Sequence, residues 1–185
     1  MSQIAVRPAQ SCDLVAVAAI YAHCVRTGTA TFDVEEPPLS FWQAKLDSTV
    51  VGDHFLVAHS LAADSLTADG SAAHRPAAGD GDTVLGYAYS GAFRSRPAYR
   101  HTRETSVYVA PQAAGGGLGT RLCGELLHLL RQDDVHLVVA VVAQPNPASN
   151  AMHRRLGFTE VGTLDEVGFK FGAYISTTYF QLRLG

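Results

Sequence analysis

One segment constrains this chain more than any other: Val107-Tyr108-Val109-Ala110-Pro111-Gln112-Ala113-Ala114-Gly115-Gly116-Gly117-Leu118-Gly119-Thr120. A β-branched and aromatic run enters it, a proline breaks it, and glycines lead into a stretch with leucines at helical spacing: Leu118, Leu122, Leu126 and Leu129 or Leu130. The pattern predicts a strand that passes through a flexible turn into a helix over 117–131. Glycines let the backbone approach a ligand closely, and the first helical turn leaves N–H donors unpaired at the positive end of the helix dipole. Such a turn suits a diphosphate. A plain glycine-rich connector is the competing reading.

The missing residues narrow the ligand. A P-loop needs Gly-Lys-Ser/Thr, but Gly119 is followed by Thr120-Arg121, with no lysine to reach terminal phosphates. ATP and GTP are therefore disfavoured. A dinucleotide site needs a third glycine where Thr120 stands and an acid about 20 residues on, near the end of the next strand. That strand ends Val142-Ala143-Gln144.

The remaining elements give a mixed α/β order. Short strands are expected at 4–6, 55–58, 84–89 and 104–109. The nearly continuous apolar run over 135–142 reads as a strand buried on both faces. Leu14, Val17, Ala18, Tyr21, Ala22 and Val25 recur at three- and four-residue spacing behind a possible cap, Ser11, and predict a first helix. After Pro37-Pro38 a second helix is expected to start at Ser40, which has capping-box spacing to Gln43. A helix over 147–156 ends at Gly157, and a last strand follows over 174–184. Residues 62–82, rich in Ala, Asp, Gly and Ser, read as a mobile hairpin loop inserted in a single domain over 1–185.

Charge excludes some partners. With 14 Lys+Arg against 17 Asp+Glu and no basic block, the chain lacks the clustered cations that nucleic acid demands. No stretch reaches the roughly 20 apolar residues of a membrane span, and the start lacks the plan of a secretory signal, so a cytoplasmic protein is expected. Cys12, Cys24 and Cys123 have no metal-ligand or disulfide spacing and read as small buried hydrophobes; no metal site is expected.

The strand, glycine turn and helix, then Val138 to Val142 and Asn146-Pro147-Ala148-Ser149-Asn150-Ala151-Met152-His153-Arg154-Arg155-Leu156-Gly157-Phe158, resemble the acetyl-CoA core of the GNAT N-acetyltransferases. Ile20-Tyr21-Ala22-His23, Thr31-Phe32, Gly86-Tyr87-Ala88-Tyr89, Arg96-Pro97-Ala98-Tyr99, Glu104-Thr105-Ser106-Val107-Tyr108-Val109 and Gly168-Phe169-Lys170 extend the resemblance, to the phosphinothricin acetyltransferases, over nearly the whole chain. It implies a GNAT fold: a mixed, mostly antiparallel sheet, splayed between the 104–109 and 135–143 strands, with acetyl-CoA in the opening and helices on both faces. It also implies a homodimer. One departure stands in the turn: where the family carries Gln or Arg ahead of Gly-x-Gly, this chain has Ala114, with Gln112 two places earlier.

The resemblance also implies roles. Glu104 is the expected general base and His153 the group near the departing CoA sulfur, donating a proton or holding a water. Val107, Tyr108 and Val109 are expected along the pantetheine arm, Gly115, Gly116, Gly117, Leu118, Gly119 and Thr120 around the diphosphate, and Asn146 on the pantetheine or, alternatively, as a simple turn cap. Phe32, Arg96, Tyr99 and Lys170 match positions that contact a small acceptor, and the guanidinium of Arg96 suits its anionic end. The implied reaction is direct acetylation of the amine of a small anionic, amino-acid-like acceptor such as phosphinothricin, methionine sulfoximine or methionine sulfone. A peptide N-terminus as acceptor, or a non-catalytic CoA sensor, are the alternatives. In the strand over 104–109, period two puts Glu104, Ser106 and Tyr108 on one face and Thr105, Val107 and Val109 on the other.

Overall fold

The computed structural model describes residues 4–60 and 83–185. The expected mobile loop over 62–82 lies outside the described residues. Seven strands form one sheet: β1 (Ile4–Pro8), β2 (Phe55–Ser60), β3 (Val84–Ala92), β4 (Thr102–Val109), β5 (Leu137–Ala143), β6 (Thr159–Lys170) and β7 (Ala173–Arg183). Their order is β1-β2-β3-β4-β5-β7-β6. Every neighbouring pair is antiparallel except β4 and β5, which are parallel. This is the mixed, mostly antiparallel sheet expected.

The parallel pairing is short. Thr102, Arg103 and Glu104 pair with Leu137, Val138 and Val139, and there the ladder stops. A last tie, 3.5 Å long, runs from Thr105 Oγ1 to the Val139 carbonyl. Beyond it β4 continues to Val109 against β3, and β5 continues to Ala143 against β7. The sheet therefore forks directly after Glu104, and among the described residues the β4 edge that faces the fork has no strand partner.

Each face has its own core. Helices α1 (Leu14–Thr27) and α2 (Leu39–Leu46) cover one, where Val17, Tyr21, Trp42, Phe55, Val57 and Tyr87 pack together. On the other, α3 (Leu118–Leu130) and α4 (Pro147–Arg155) enclose Leu122, Leu126, Leu127, Leu130, Val138, Phe158 and Phe180. The alternation in β4 is as expected: Tyr108 packs against the first core and Val107 and Val109 against the second. Leu130 is the fully buried residue of the Leu129/Leu130 pair.

Several sequence expectations are corrected. Helix α2 begins at Leu39 with Pro38 as its cap, and Gln43 donates to Asp47 at 2.8 Å instead of closing a box on Ser40. A 3₁₀ turn (Ser11–Asp13) precedes α1, and its capping box joins Gln10 and Asp13 in place of a Ser11 cap. Strand β6 was not expected at all. Cys123 is buried, but Cys12 is exposed and Cys24 half-buried, so only one of the three is a core hydrophobe. No helix among the described residues is long and apolar enough to cross a membrane.

Candidate active site

Glu104 stands on the last rung before the fork, opposite Gly91 on β3. Burial raises its carboxyl above the ordinary range, while the positive charges of Arg94 and Lys45 pull it back down. Lys45, on α2, holds its ammonium 4.0 Å from the Tyr89 ring centre and 4.8 Å from that of Phe41. Burial lowers its own pKa, opposed by Asp53 and Glu104. Half-burial makes this carboxylate a stronger proton acceptor than a solvated one, and the two cations temper that gain.

Beyond the end of β3, Arg94, Ser95, Arg96 and Tyr99 line a cavity of about 270 Å³. A 3₁₀ turn with Pro97 at its start makes Arg96 and Tyr99 adjacent, the Tyr99 N–H donating to the Arg96 carbonyl at 3.0 Å. Phe93 meets Tyr99 edge-on at 5.7 Å and carries the Arg94 guanidinium over its ring at 4.2 Å. Two guanidinium groups and a phenol on one cavity suit a small carboxylate or phosphinate.

Across the fork, Gly117 caps α3 with φ 78°, a left-handed conformation that a side chain disfavours, and Gly115 has φ 83°. The N–H groups of Leu118, Gly119 and Thr120 begin the helix, and the first intrahelical bond runs from the Arg121 N–H to the Gly117 carbonyl at 3.1 Å. A Cβ on Gly119 would lie 3.3 Å from Met152 Sδ, 3.7 Å from Val109 and 3.8 Å from Val107. The start of α3, helix α4 and the free edge of β4 thus meet at Gly119. Asn146 caps α4, its Oδ1 accepting from the Ser149 N–H at 3.0 Å. A reciprocal amide pair, Gln144 and Asn150 at 3.0 Å both ways, holds that end of α4 on β5.

His153 is buried, face to face with Phe180 at 5.5 Å and edge-on to Phe158 at 5.1 Å. Its Nδ1 lies 2.9 Å from the Ser149 carbonyl. A carbonyl only accepts, so Nδ1 carries the proton, and burial lowers the pKa of the ring. The resting imidazole is neutral, with an unprotonated Nε2.

Phe32 and Lys170 form a third group. Lys170 is buried and donates to the carbonyls of Gly28 and Thr31 at 2.9 and 2.8 Å. A Cβ at Gly168 would collide with the Phe32 ring, so that glycine seats the ring on β6. The β6–β7 hairpin therefore fixes the segment after α1, and the Lys170 ammonium is committed to backbone carbonyls. Lys45 and Gly91 escaped the sequence reading: a single lysine in a short helix and a strand glycine carry no local signal. Arg94 stands two residues before Arg96, outside the Arg96-Pro97-Ala98-Tyr99 motif that singles out its neighbours. Among the described residues no cluster of His, Cys, Asp and Glu is placed to hold a metal ion.

Residues 19–158 match the acetyltransferase (GNAT) family. The chain belongs to that family. This GNAT enzyme is 36% identical over 183 residues to a phosphinothricin N-acetyltransferase of Streptomyces coelicolor, covering 99% of the chain and 98% of that relative. An L-methionine sulfoximine/L-methionine sulfone acetyltransferase of Pseudomonas aeruginosa is 36% identical over 180 residues, 97% of this chain and 94% of its own. Among solved structures, a GNAT phosphinothricin acetyltransferase from Sinorhizobium meliloti in complex with acetyl-CoA superposes with a TM-score of 0.81 at 33% identity, covering 100% of this chain and 90% of that one.

Proposed function

We propose that this GNAT enzyme transfers acetyl from acetyl-CoA to the amine of a small anionic amino-acid analogue of the phosphinothricin, methionine sulfoximine or methionine sulfone type. The observation that carries the acceptor class is the pairing of a desolvated carboxylate, Glu104, with the guanidinium-lined cavity beside it. The relatives named above act on the same chemical class.

Three features fit the donor. The glycine turn and the first N–H groups of α3 supply anion donors for a diphosphate. The partnerless β4 edge over Val107, Tyr108 and Val109 offers backbone groups to an extended amide arm such as pantetheine. The amide nitrogen of Asn146 is left over from the cap for the same arm. Acetyl-CoA supplies an acetyl group activated as a thioester.

Glu104 takes one proton from the acceptor ammonium, directly or through water, which frees the lone pair. The nitrogen–carbon bond then forms as the carbon–sulfur bond breaks, with no acyl-enzyme. One of the two hydrogens left on that nitrogen then departs as a proton and reaches the thiolate through a water held by His153, the other stays on the amide, and Glu104 releases its proton to solvent. An unprotonated Nε2 favours the water-holding role over direct donation by the ring.

Thiol release with acetyl-CoA across phosphinothricin, methionine sulfoximine, methionine sulfone, polyamines and peptide N-termini tests this reading. The first three are expected to turn over. Activity confined to peptide N-termini would move the enzyme to the other acceptor class, and donor binding without turnover of any amine would make it a sensor.

The charge beside Glu104 gives a pH prediction. Lys45→Met removes a cation that stabilises the carboxylate, so the pKa of Glu104 rises further and more of it is protonated at a given pH. The acid limb of kcat/KM against pH is expected to shift to higher pH with the alkaline plateau kept. An unmoved limb would separate Lys45 from the base.

A further inference from the structure

A glycine inside a strand weakens it and is ordinarily explained by a bulge, a left-handed φ or close packing against backbone. Gly86 has such a reason, since a Cβ there would lie 2.8 Å from the Tyr108 carbonyl oxygen. Gly91, five residues along the same strand, has none of them. Register between β3 and β4 runs without interruption from Gly86↔Val109 to Ala92↔Arg103. The φ of Gly91 lies outside the left-handed range, and a Cβ on it would meet nothing within 4 Å. Nothing among the described residues fills that space, which leaves the approach of a ligand as its use.

The position says what that is. Directly opposed residues of an antiparallel pair point to one face, so Gly91 and Glu104 form one row and Tyr89 and Ser106 the next. Helix α2 covers the Tyr89 row with Trp42 and Lys45. From there the Lys45 ammonium acts electrostatically on Glu104 in the next row, yet the space at Gly91, opposite Glu104, stays open. From Gly91 the chain runs through Ala92 and Phe93 into the Arg94–Arg96 wall of the cavity. An acceptor with its anionic end at those guanidinium groups and its amine at Glu104 must lay the intervening carbon atoms over Gly91.

Resting on the acetyl-transfer reading above, we propose that Gly91 is a specificity-determining residue, leaving room beside Glu104 for the amine-bearing carbon of the acceptor and limiting how bulky that carbon is. The test is kinetic, on Gly91→Ala and Gly91→Val. Both Cβ atoms enter open space and valine favours strands, so the variants are expected to melt at or above the parent's Tm. Acetyl-CoA affinity, by calorimetry, is expected to stay at the parent's value. Against methionine sulfone and methionine sulfoximine, Gly91→Val, which adds three carbon atoms, is expected to lose at least the roughly 10–200-fold in kcat/KM that a misfit of a single methylene produces. Gly91→Ala is expected to lose less, and the loss is to grow with branching next to the amine.

A Gly91→Val enzyme as fast as an active parent on every acceptor overturns the inference and leaves the acetyl-transfer reading intact. A variant with a markedly lower Tm overturns it too, since the glycine would then be held by packing. A parent that releases no thiol with any amine overturns the reading on which the inference rests.

Discussion

Glu104→Gln is expected to lower kcat by about 10²–10⁴-fold, the usual contribution of a positioned general base, while acetyl-CoA binding measured by calorimetry stays unchanged. The amide keeps the volume and hydrogen-bonding reach of the side chain but removes its ability to take a proton. Stability gives an independent check with a definite sign. Burial raises the carboxyl of Glu104 above its unfolded value, so folding favours the protonated form and the ionised form is a burden on the native state. That burden is present above the folded pKa and disappears as pH falls through it. The Gln variant is therefore expected to be at least as stable as the parent at neutral pH, with the difference closing under acid. A variant with unchanged turnover removes Glu104 from the reaction; one that loses activity together with stability reports a structural side chain instead.

Trp42→Ala is expected to cost about 3–5 kcal/mol, the range for emptying a large buried aromatic site. That is a large share of the roughly 5–15 kcal/mol by which domains of this kind are stable. Trp42 is fully buried, with Tyr21 at 5.1 Å, Phe41 at 5.0 Å, Tyr87 at 5.5 Å, Phe55 at 6.2 Å and Tyr89 at 6.3 Å between ring centres. It is the side chain by which α2 grips the sheet, and Lys45 rides on the same helix. Urea unfolding followed by far-UV circular dichroism checks the cost, since the chain's one tryptophan is also its fluorescence reporter. Among the described residues the indole N–H finds no hydrogen-bond partner, so Trp42→Phe gives up mainly volume and is expected to retain most of the stability. Equal midpoints for Trp42→Ala and the parent would dissociate this helix from the cooperative core.

How far the sequence reveals this molecule depends on the element. The 135–142 run becomes β5 over Leu137–Ala143 because a strand covered on both faces must be apolar throughout, and α3 follows its leucines. Strand β6 was invisible for the opposite reason. Nearly all of its side chains are exposed, two irregularities break its register against β7, and Glu166 takes φ 53°, so no alternation survives to be read. The start of α2 was misplaced because Ser40 and Gln43 satisfy a spacing rule that Pro38, with its fixed φ, pre-empts. In the site, Glu104, His153, Arg96 and Tyr99 came from motif resemblance. The protonation of His153 depends on a carbonyl one helical turn away, and the role of Gly91 on a residue across the sheet. Neither lies in any local pattern; both arise from pairings made only by folding.

The fork after Glu104 has a cost outside catalysis. An interior strand that loses its neighbour halfway displays bare peptide groups, much as the rim of a sheet does, and rims recruit foreign chains. A thioester arm lying along that bare stretch would act as a surrogate strand, covering a sticky seam while loading the enzyme. Donor supply would then govern the molecule's survival as well as its speed: by mass action, depletion of the acyl pool lowers both folding free energy and protection against self-association.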